Sequence, residues 1–126
     1  MPYKVLLAED DPFLIDIYST KFKSVGFDLS LADSGDKVLP KLKESKPDIL
    51  LLDIVLPGMS GWEALAEVKK DPQFNGLKII VLSNLGQKSE VEKGIEMGAD
   101  GYLIKAHYTP TQIVEEIKKL LDPKKQ

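Results

Sequence analysis

Ile49-Leu50-Leu51-Leu52-Asp53 is the stretch that decides the fold, because here an unbroken apolar run ends in an acid. Three further runs end in a polar or charged residue in the same way: Val5-Leu6-Leu7-Ala8 before Glu9 and Asp10, Ile79-Ile80-Val81-Leu82 before Ser83, and Tyr102-Leu103-Ile104 before Lys105. Short runs rich in Val, Ile and Leu predict strands buried on both faces, as in a parallel sheet covered by helices. Ligands of such sheets bind beyond the carboxyl ends of the strands. We therefore expect the acids, the hydroxyl and the ammonium to converge on one small region.

Helical patterns lie between these runs. The first helix is predicted to begin at Pro12, capped by Asp11, and to end before Gly26. A strand over residues 29–31 follows, and its alternation of apolar and polar residues predicts a position at the sheet edge. The second helix is expected from about Ser34 to Lys46, although Pro40 should kink or shorten it because proline lacks a backbone N–H.

Three pairs of residues have the spacing of a capping box and predict the starts of the remaining helices: Ser60 with Glu63, Ser89 with Glu92, and Thr109 with Gln112. Gly98 is expected to end the fourth helix in a left-handed conformation. Strand and helix thus alternate five times. This predicts an α/β fold, a doubly wound five-stranded parallel sheet in the order 2-1-3-4-5 with five helices in a three-layer sandwich.

Composition limits the function classes. The chain has 126 residues, a formal net charge of -3 and no cysteine, which predicts one domain over residues 1–126, with a core over about 4–121 and a short tail, and argues against direct nucleic-acid binding, disulfides and thiolate metal sites. No apolar run approaches the length of a membrane span. We expect a cytoplasmic protein.

The predicted strand order makes the first and third strands neighbours, so Glu9, Asp10 and Asp53 should face one another. Three clustered carboxylates need a cation, and oxygen ligands without nearby His or Cys suit Mg²⁺. Asp53 is the best-placed nucleophile for a phosphoryl group, and Lys105 and Ser83 could contact that group's oxygens. Taken singly, Glu9, Asp10 and Asp11 could instead cap the first helix. Lys105 could be a solvated cation, and Ser83 could belong to a turn. Their position at successive strand ends favours a shared site.

The chain resembles the CheY-like receiver domain of two-component response regulators, which has a flavodoxin-like fold. The resemblance extends from Lys4 to Leu121, and four segments carry it: residues 6–12 (LLAEDDP), residues 47–61 (PDILLLDIVLPGMSG), residues 80–83 (IVLS) and residues 98–105 (GADGYLIK). It implies that Asp53 accepts a phosphoryl group from a phosphohistidine on a sensor histidine kinase or a histidine phosphotransfer protein. It also implies Mg²⁺ ligands at Glu9, Asp10, Asp53 and the backbone carbonyl of Val55.

The same resemblance implies that Ser83 and Tyr102 form a switch, which alters the surface of the fourth helix, fifth strand and fifth helix that a protein partner reads. The domain would be a stoichiometric phosphoacceptor rather than an enzyme, and a monomer or a weak phosphorylation-dependent dimer.

Three positions depart from the family pattern. Ala106 follows Lys105 where relatives usually carry proline, often after a cis bond, and a cis bond before a non-proline residue costs about 3 to 4 kcal/mol; the loop there should differ. Asn84 replaces a smaller residue and should narrow the pocket. Val55 and Leu85 are apolar where relatives place or block the hydrolytic water, so we expect slow self-dephosphorylation.

Three other functions fit these residues less well. A pseudo-receiver would bind partners without phosphorylation, which the full set of Glu9, Asp10, Asp53, Ser83 and Lys105 argues against. An aspartate-nucleophile phosphatase generally has a second acid two residues after the nucleophile, where this chain has Val55. A flavin-binding module would want a hydroxyl-rich loop after the first strand in place of the acids.

Overall fold

A computed structural model describes residues 2–122 of the chain. Five strands and five α-helices alternate along this part: β1 (Lys4–Ala8), α1 (Pro12–Ser24), β2 (Asp28–Ala32), α2 (Val38–Ser45), β3 (Ile49–Leu52), α3 (Gly61–Lys70), β4 (Lys78–Ser83), α4 (Lys88–Glu96), β5 (Gly101–Ile104) and α5 (Pro110–Leu121). Short 3₁₀ turns lie at Gly35–Lys37, Pro72–Phe74 and Lys105–His107. Within residues 2–122, no helix is both long enough and apolar enough to cross a membrane.

The sheet is parallel throughout, and its strand order, β2-β1-β3-β4-β5, confirms the predicted order. Ala8 pairs in register with Leu52, so Glu9 and Asp53 emerge side by side one residue later. Ser83 is the last residue of β4 and pairs with Ile104, which places Lys105 next to it. β2 is an edge strand, as its alternating pattern predicts.

Two apolar cores sandwich the sheet. On one face, α1 and α5 contribute buried residues such as Phe22 and Ile113, which pack against Val5, Leu7 and Leu51. On the other face, α2 and α3 pack against alternate residues of the same strands, including Leu6 and Leu50. All four residues of β3 are buried, because successive side chains point to opposite faces and both faces are covered.

Most of the predicted helix starts are confirmed. Asp11 caps α1 by accepting a hydrogen bond from the Phe13 N–H at 2.9 Å, and Ser60 caps α3. Thr109 and Gln112 form a complete capping box at α5. Gly98 has a φ of +100° and directly follows Met97, the C-cap of α4, in the left-handed region that glycine favours.

The predicted capping box of Ser89 and Glu92 is wrong. α4 begins at Lys88, its N-cap is Gln87, and no side chain caps it. Glu92 lies one helical turn after Lys88, with its carboxylate oxygen 3.8 Å from the Lys88 ammonium. Ser89 and Glu92 therefore both lie inside the helix. The Glu92 N–H, which a capping Ser89 would bind, lies in position to bond to the Lys88 carbonyl four residues earlier.

The predicted start of the second helix at Ser34 also needs correction. A 3₁₀ turn occupies Gly35–Lys37, and α2 begins at Val38. Pro40 therefore lies in the first turn of α2, where the missing N–H has no partner within the helix to lose. The predicted shortening is confirmed, and Lys46 ends the helix with a left-handed φ of 47°. Of the predicted tail, only Asp122 lies within the described residues, as the C-cap of α5.

Candidate phosphoacceptor and metal site

The buried polar and charged side chains of residues 2–122 are Glu9, Asp53 and Ser83, which are 2%, 6% and 1% exposed. All three lie at the carboxyl end of the sheet. Burying charged groups is costly unless they are paired and hydrogen-bonded. Their concentration at one place marks this end of the sheet as the candidate site.

Lys105 neutralises part of the buried charge. Its ammonium nitrogen lies 2.5 Å from Glu9 Oε1 and 2.7 Å from Asp53 Oδ2. Burial lowers the pKa of Lys105, but hydrogen bonds and attraction to the Asp53 and Glu9 carboxylates outweigh it and hold that pKa above its ordinary value of 10.5. Lys105 is therefore a fixed positive charge between two acids at physiological pH.

Glu9 has a raised pKa. Burial is the largest cause, and the hydrogen bonds from Lys105 and the Asp11 N–H only partly offset it, while the charge of Asp53 raises the pKa further. Its second oxygen, Oε2, accepts hydrogen bonds from the N–H groups of Asp10 at 3.1 Å and Asp11 at 3.2 Å. The capping alternative thus holds for Asp11 and in part for Glu9, whereas Asp10 is exposed and caps nothing.

Glu9, Asp10 and Asp53 come together as the sequence predicts. One carboxylate oxygen from each lies within 4.8 Å of the other two. Two of the acids are buried and Asp10 is exposed to solvent, so the cluster is open on one side. A hard cation such as Mg²⁺ binds through a few carboxylates while keeping several waters, and this donor set fits that requirement.

A small cavity of about 190 Å³ opens beside Asp53 and is lined by Asp53, Val55, Ser83, Asn84, Leu85 and Lys105. The Val55 N–H donates to Asp53 Oδ1 at 3.2 Å, which orients the carboxylate, and the Val55 side chain is 63% exposed. Asn84 also lines this cavity.

Tyr102 is connected to Ser83 through the backbone of Leu85. The Leu85 N–H donates to Ser83 Oγ at 3.3 Å, and the Tyr102 hydroxyl donates to the Leu85 carbonyl at 2.5 Å. Burial raises the pKa of the Tyr102 phenol, against a smaller lowering by hydrogen bonding with Ser83. The linking role of Leu85 was not predicted from the sequence, because backbone groups leave no signal in residue type.

The peptide bond before Ala106 is trans, as are all those of the described residues. The chain then turns through the 3₁₀ segment Lys105–His107. The Lys105 side chain nevertheless reaches both acids, so the alanine does not prevent this contact.

Comparison with known proteins agrees with this geometry. The family model described as "Response regulator receiver domain" matches residues 5–118. The chain belongs to this family. All four segments that carry the resemblance lie within the matched range.

This receiver domain is similar to several curated response regulators. It is 33% identical over 118 residues to the phosphate regulon transcriptional regulatory protein PhoB of Rhizobium meliloti, covering 94% of this chain and 52% of that protein. It is 31% identical over 118 residues to the DNA-binding response regulator MtrA of Mycolicibacterium smegmatis, covering 94% of this chain and 50% of that protein. The chain thus spans about half the length of these relatives.

Solved structures show the same fold. A CheY-like receiver domain protein from Methanospirillum hungatei is 27% identical, with a TM-score of 0.86, covering 97% of this chain and 95% of that one. The BeF3-activated N-terminal receiver domain of RstA from Klebsiella pneumoniae is also 27% identical, with a TM-score of 0.86, covering 94% of this chain and 98% of that one.

Proposed function

We propose that this receiver domain is a phosphoacceptor in a two-component phosphorelay. Asp53 takes a phosphoryl group from the phosphohistidine of a sensor histidine kinase or a histidine phosphotransfer protein. Glu9, Asp10, Asp53 and the backbone carbonyl of Val55 would hold Mg²⁺. The observation that carries the proposal is the shared contact of Lys105 with Glu9 and Asp53 beside a third carboxylate and an open cavity.

Transfer forms a bond between an Asp53 oxygen and phosphorus and breaks the phosphorus–nitrogen bond of the phosphohistidine. Asp53 is held for attack by the Val55 N–H on one oxygen and by Lys105 on the other. As the aspartyl phosphate forms, Asp53 Oδ2 loses charge and the phosphoryl oxygens carry it instead, so the Lys105 ammonium can follow the charge to those oxygens. The metal supplies further neutralisation of the transferring group.

Ser83 is the remaining hydroxyl of the pocket. Its Oγ, which accepts from the Leu85 N–H, can donate its own proton to a phosphoryl oxygen. That bond would favour a particular geometry of the loop after β4, and Leu85 connects this loop to Tyr102 on β5. The surface of α4, β5 and α5 would then differ between the two states, and a protein partner would read the difference.

Release of the phosphoryl group should be slow. Val55 and Leu85, which line the cavity next to Asp53, are apolar and cannot position a water for attack. For the same reason we infer a stoichiometric acceptor rather than a phosphatase, since the residue two positions after Asp53 offers no second acid.

The proposal is tested by intact-mass measurement after incubation with acetyl phosphate and Mg²⁺. The wild type should gain one phosphoryl group and Asp53→Asn should gain none. Asp48→Asn is the matched control, because Asp48 precedes the same strand and should leave the gain intact. No gain in the wild type would overturn the proposal and favour a pseudo-receiver. An equal gain in Asp53→Asn would overturn it by showing that another residue accepts the phosphoryl group.

A further inference from the structure

Gly94, in the last turn of α4, lies directly against the ring of Tyr102. A Cβ atom added to Gly94 would lie 2.8 Å from Cδ2 and 3.2 Å from Cε2 of that ring. The first of these distances is closer than carbon atoms approach without repulsion. The ring therefore occupies the space that the side chain of any other residue at position 94 would need.

The same ring is held at its other end by a hydrogen bond. The Tyr102 hydroxyl donates to the Leu85 carbonyl at 2.5 Å, and the Leu85 N–H donates to Ser83 Oγ at 3.3 Å. Ser83 and Leu85 both line the cavity beside Asp53. We call the ring inward in this position, packed against Gly94 and bonded to Leu85. It connects α4 to the pocket, because two hydrogen bonds link the ring to Ser83.

Trp62 completes the surroundings of Gly94. Its Cη2 atom lies 3.8 Å from the same Cβ position, an ordinary van der Waals distance, and the Lys93 ammonium lies 4.4 Å from the centroid of the Trp62 ring. The first turn of α3, the last turn of α4 and the start of β5 therefore meet at position 94. Trp62 fills the space on this side of position 94, so the Tyr102 ring cannot shift into it.

Glycine is a poor helix former, and Gly94 lies in the last turn of a helix that has only nine residues. Alanine at position 94 would strengthen the helix if nothing opposed it. The contact with Tyr102 supplies a physical reason for glycine here, since the gain in helix stability would come with the loss of the inward ring.

We propose that the lack of a side chain at Gly94 leaves the space that the inward Tyr102 ring occupies. The size of residue 94 would then set the affinity of the pocket beside Asp53 for a phosphoryl group. Gly94 is a positioning residue that acts through Tyr102, Leu85 and Ser83. The packing part stands on the contacts alone, whereas the regulatory part rests on the proposed function of Asp53. By linkage, a substitution that disfavours the inward ring weakens phosphoryl binding only if the ring favours that binding.

The packing part is tested by a thermodynamic cycle of Gly94→Ala in two backgrounds, wild type and Tyr102→Thr. Threonine keeps a strand-forming residue in β5 but removes the ring. In the Tyr102→Thr background, Gly94→Ala should raise the melting temperature by roughly 3 to 5 °C, the gain of alanine over glycine in a helix. With Tyr102 present, the same substitution should lower the melting temperature. Ser89→Ala, elsewhere in α4, should have the same effect in both backgrounds. An equal rise for Gly94→Ala in both backgrounds would overturn the proposal.

The regulatory part is tested by calorimetric titration with beryllofluoride and Mg²⁺, which stand for the phosphoryl group and its metal. Gly94→Ala should weaken binding by about fivefold or more with Tyr102 present and should have no effect in the Tyr102→Thr background. Equal affinities of wild type and Gly94→Ala would overturn the coupling. If the wild type does not bind at all, the proposed function fails together with the coupling, while the melting temperatures still decide the packing.

Discussion

Carboxylates lie at both ends of this sheet, and they are used in opposite ways. At the amino end, Asp48 Oδ2 accepts a hydrogen bond from the Lys4 N–H and Asp100 Oδ2 accepts one from the Ile79 N–H, each at 2.8 Å. Each acid there satisfies a backbone donor at the start of a strand. At the carboxyl end, Glu9 and Asp53 are buried and share the single ammonium of Lys105.

The two ends differ in unneutralised buried charge, and this difference, rather than the size of a cavity, distinguishes the candidate site. The larger cavity, about 570 Å³, lies at the amino end beside Asp48, whereas the cavity beside Asp53 measures about 190 Å³. Asp48 already accepts a hydrogen bond from the backbone, and none of the other described residues that line this cavity is an acid. The carboxyl end holds more negative charge than its own protein groups neutralise, which is what a cation or a phosphoryl-transfer site requires.

The largest effect is expected when the ammonium that Glu9 and Asp53 share is removed. Lys105→Met leaves two buried carboxylates without it, and the free energy of unfolding at neutral pH without Mg²⁺ should fall by about 3 kcal/mol, as when one partner of a buried ion pair is lost. Chemical denaturation measures this. The loss should shrink when Mg²⁺ is added or the pH is lowered, because both relieve the repulsion.

Lys37→Met is the matched control for this substitution. Lys37 pairs with Asp33 at 2.8 Å on the exposed surface, so its loss should change stability only slightly. A loss in Lys105→Met that ignores both Mg²⁺ and pH would show that Lys105 acts through packing rather than charge.

The amino end should respond in stability without a change in chemistry. Asp100→Ala leaves the buried Ile79 N–H without its acceptor and should lower the free energy of unfolding by about 1 to 2 kcal/mol. Asp100→Asn keeps an acceptor oxygen and should lose less. Phosphorylation of Asp53 by acetyl phosphate should proceed at the wild-type rate in both variants. A strong loss of phosphorylation in Asp100→Ala would break the division between the two ends.

Protons and Mg²⁺ compete for the Glu9 carboxylate, which gives a further test of the charge at the carboxyl end. A metal needs the ionised form of Glu9, and burial raises the pKa of Glu9 above its ordinary 4.5. As the pH falls, Mg²⁺ affinity should therefore begin to decrease above pH 4.5, approaching a tenfold loss per pH unit, about 1.4 kcal/mol. Lys105 stays charged throughout this range. Calorimetry with Glu9→Gln should show weaker binding and a later onset of the decrease.

Without metal, the free energy of unfolding responds to pH in the opposite direction and rises as the pH falls. The folded protein binds the Glu9 proton more tightly than the unfolded chain does, so protonation of Glu9 contributes stability as the pH falls from its raised pKa toward 4.5. Mg²⁺ affinity that stays constant down to pH 4.5 would contradict the role of Glu9.

The smallest expected effect concerns loss of the phosphoryl group. Val55→Asn places an amide at the mouth of the cavity, where it can orient a water, and should speed dephosphorylation by about threefold to tenfold, up to about 1.4 kcal/mol of barrier. Val55→Ala removes the bulk without adding a polar group and should stay near the wild-type rate. Mass measurements over time follow both. A wild type that loses the phosphoryl group as fast as Val55→Asn would refute the expected slow release.

Much of the fold was predictable because burial leaves a plain signal in sequence. The apolar run before Asp53 predicts a strand covered on both faces, and β3 is buried along its whole length. The rule that ligands bind at the carboxyl ends of parallel strands predicts the meeting of Glu9, Asp53, Ser83 and Lys105. Capping boxes were less certain guides, since the spacing of Ser89 and Glu92 also occurs inside a helix.

Contacts that depend on side-chain direction were not predictable. Lys105 contacts two acids at once because the ends of three strands lie close together in space. The spacing of residues along the sequence does not specify that arrangement. Asp100 is unremarkable in sequence, and its bond to the Ile79 N–H depends on a strand twenty-one residues earlier. Gly94 reads only as a weak point in a helix until Tyr102 is placed against it.

The central claim is that Glu9, Asp10 and Asp53 share one metal ion. A crystal structure with Mn²⁺, whose anomalous scattering locates the ion, tests it most directly. The account predicts a single ion between the three side chains, bound directly to Asp10 and Asp53 and to Glu9 directly or through one water. An ion held by Asp10 alone, two separated ions, or no ion at a concentration that saturates binding in solution would contradict it.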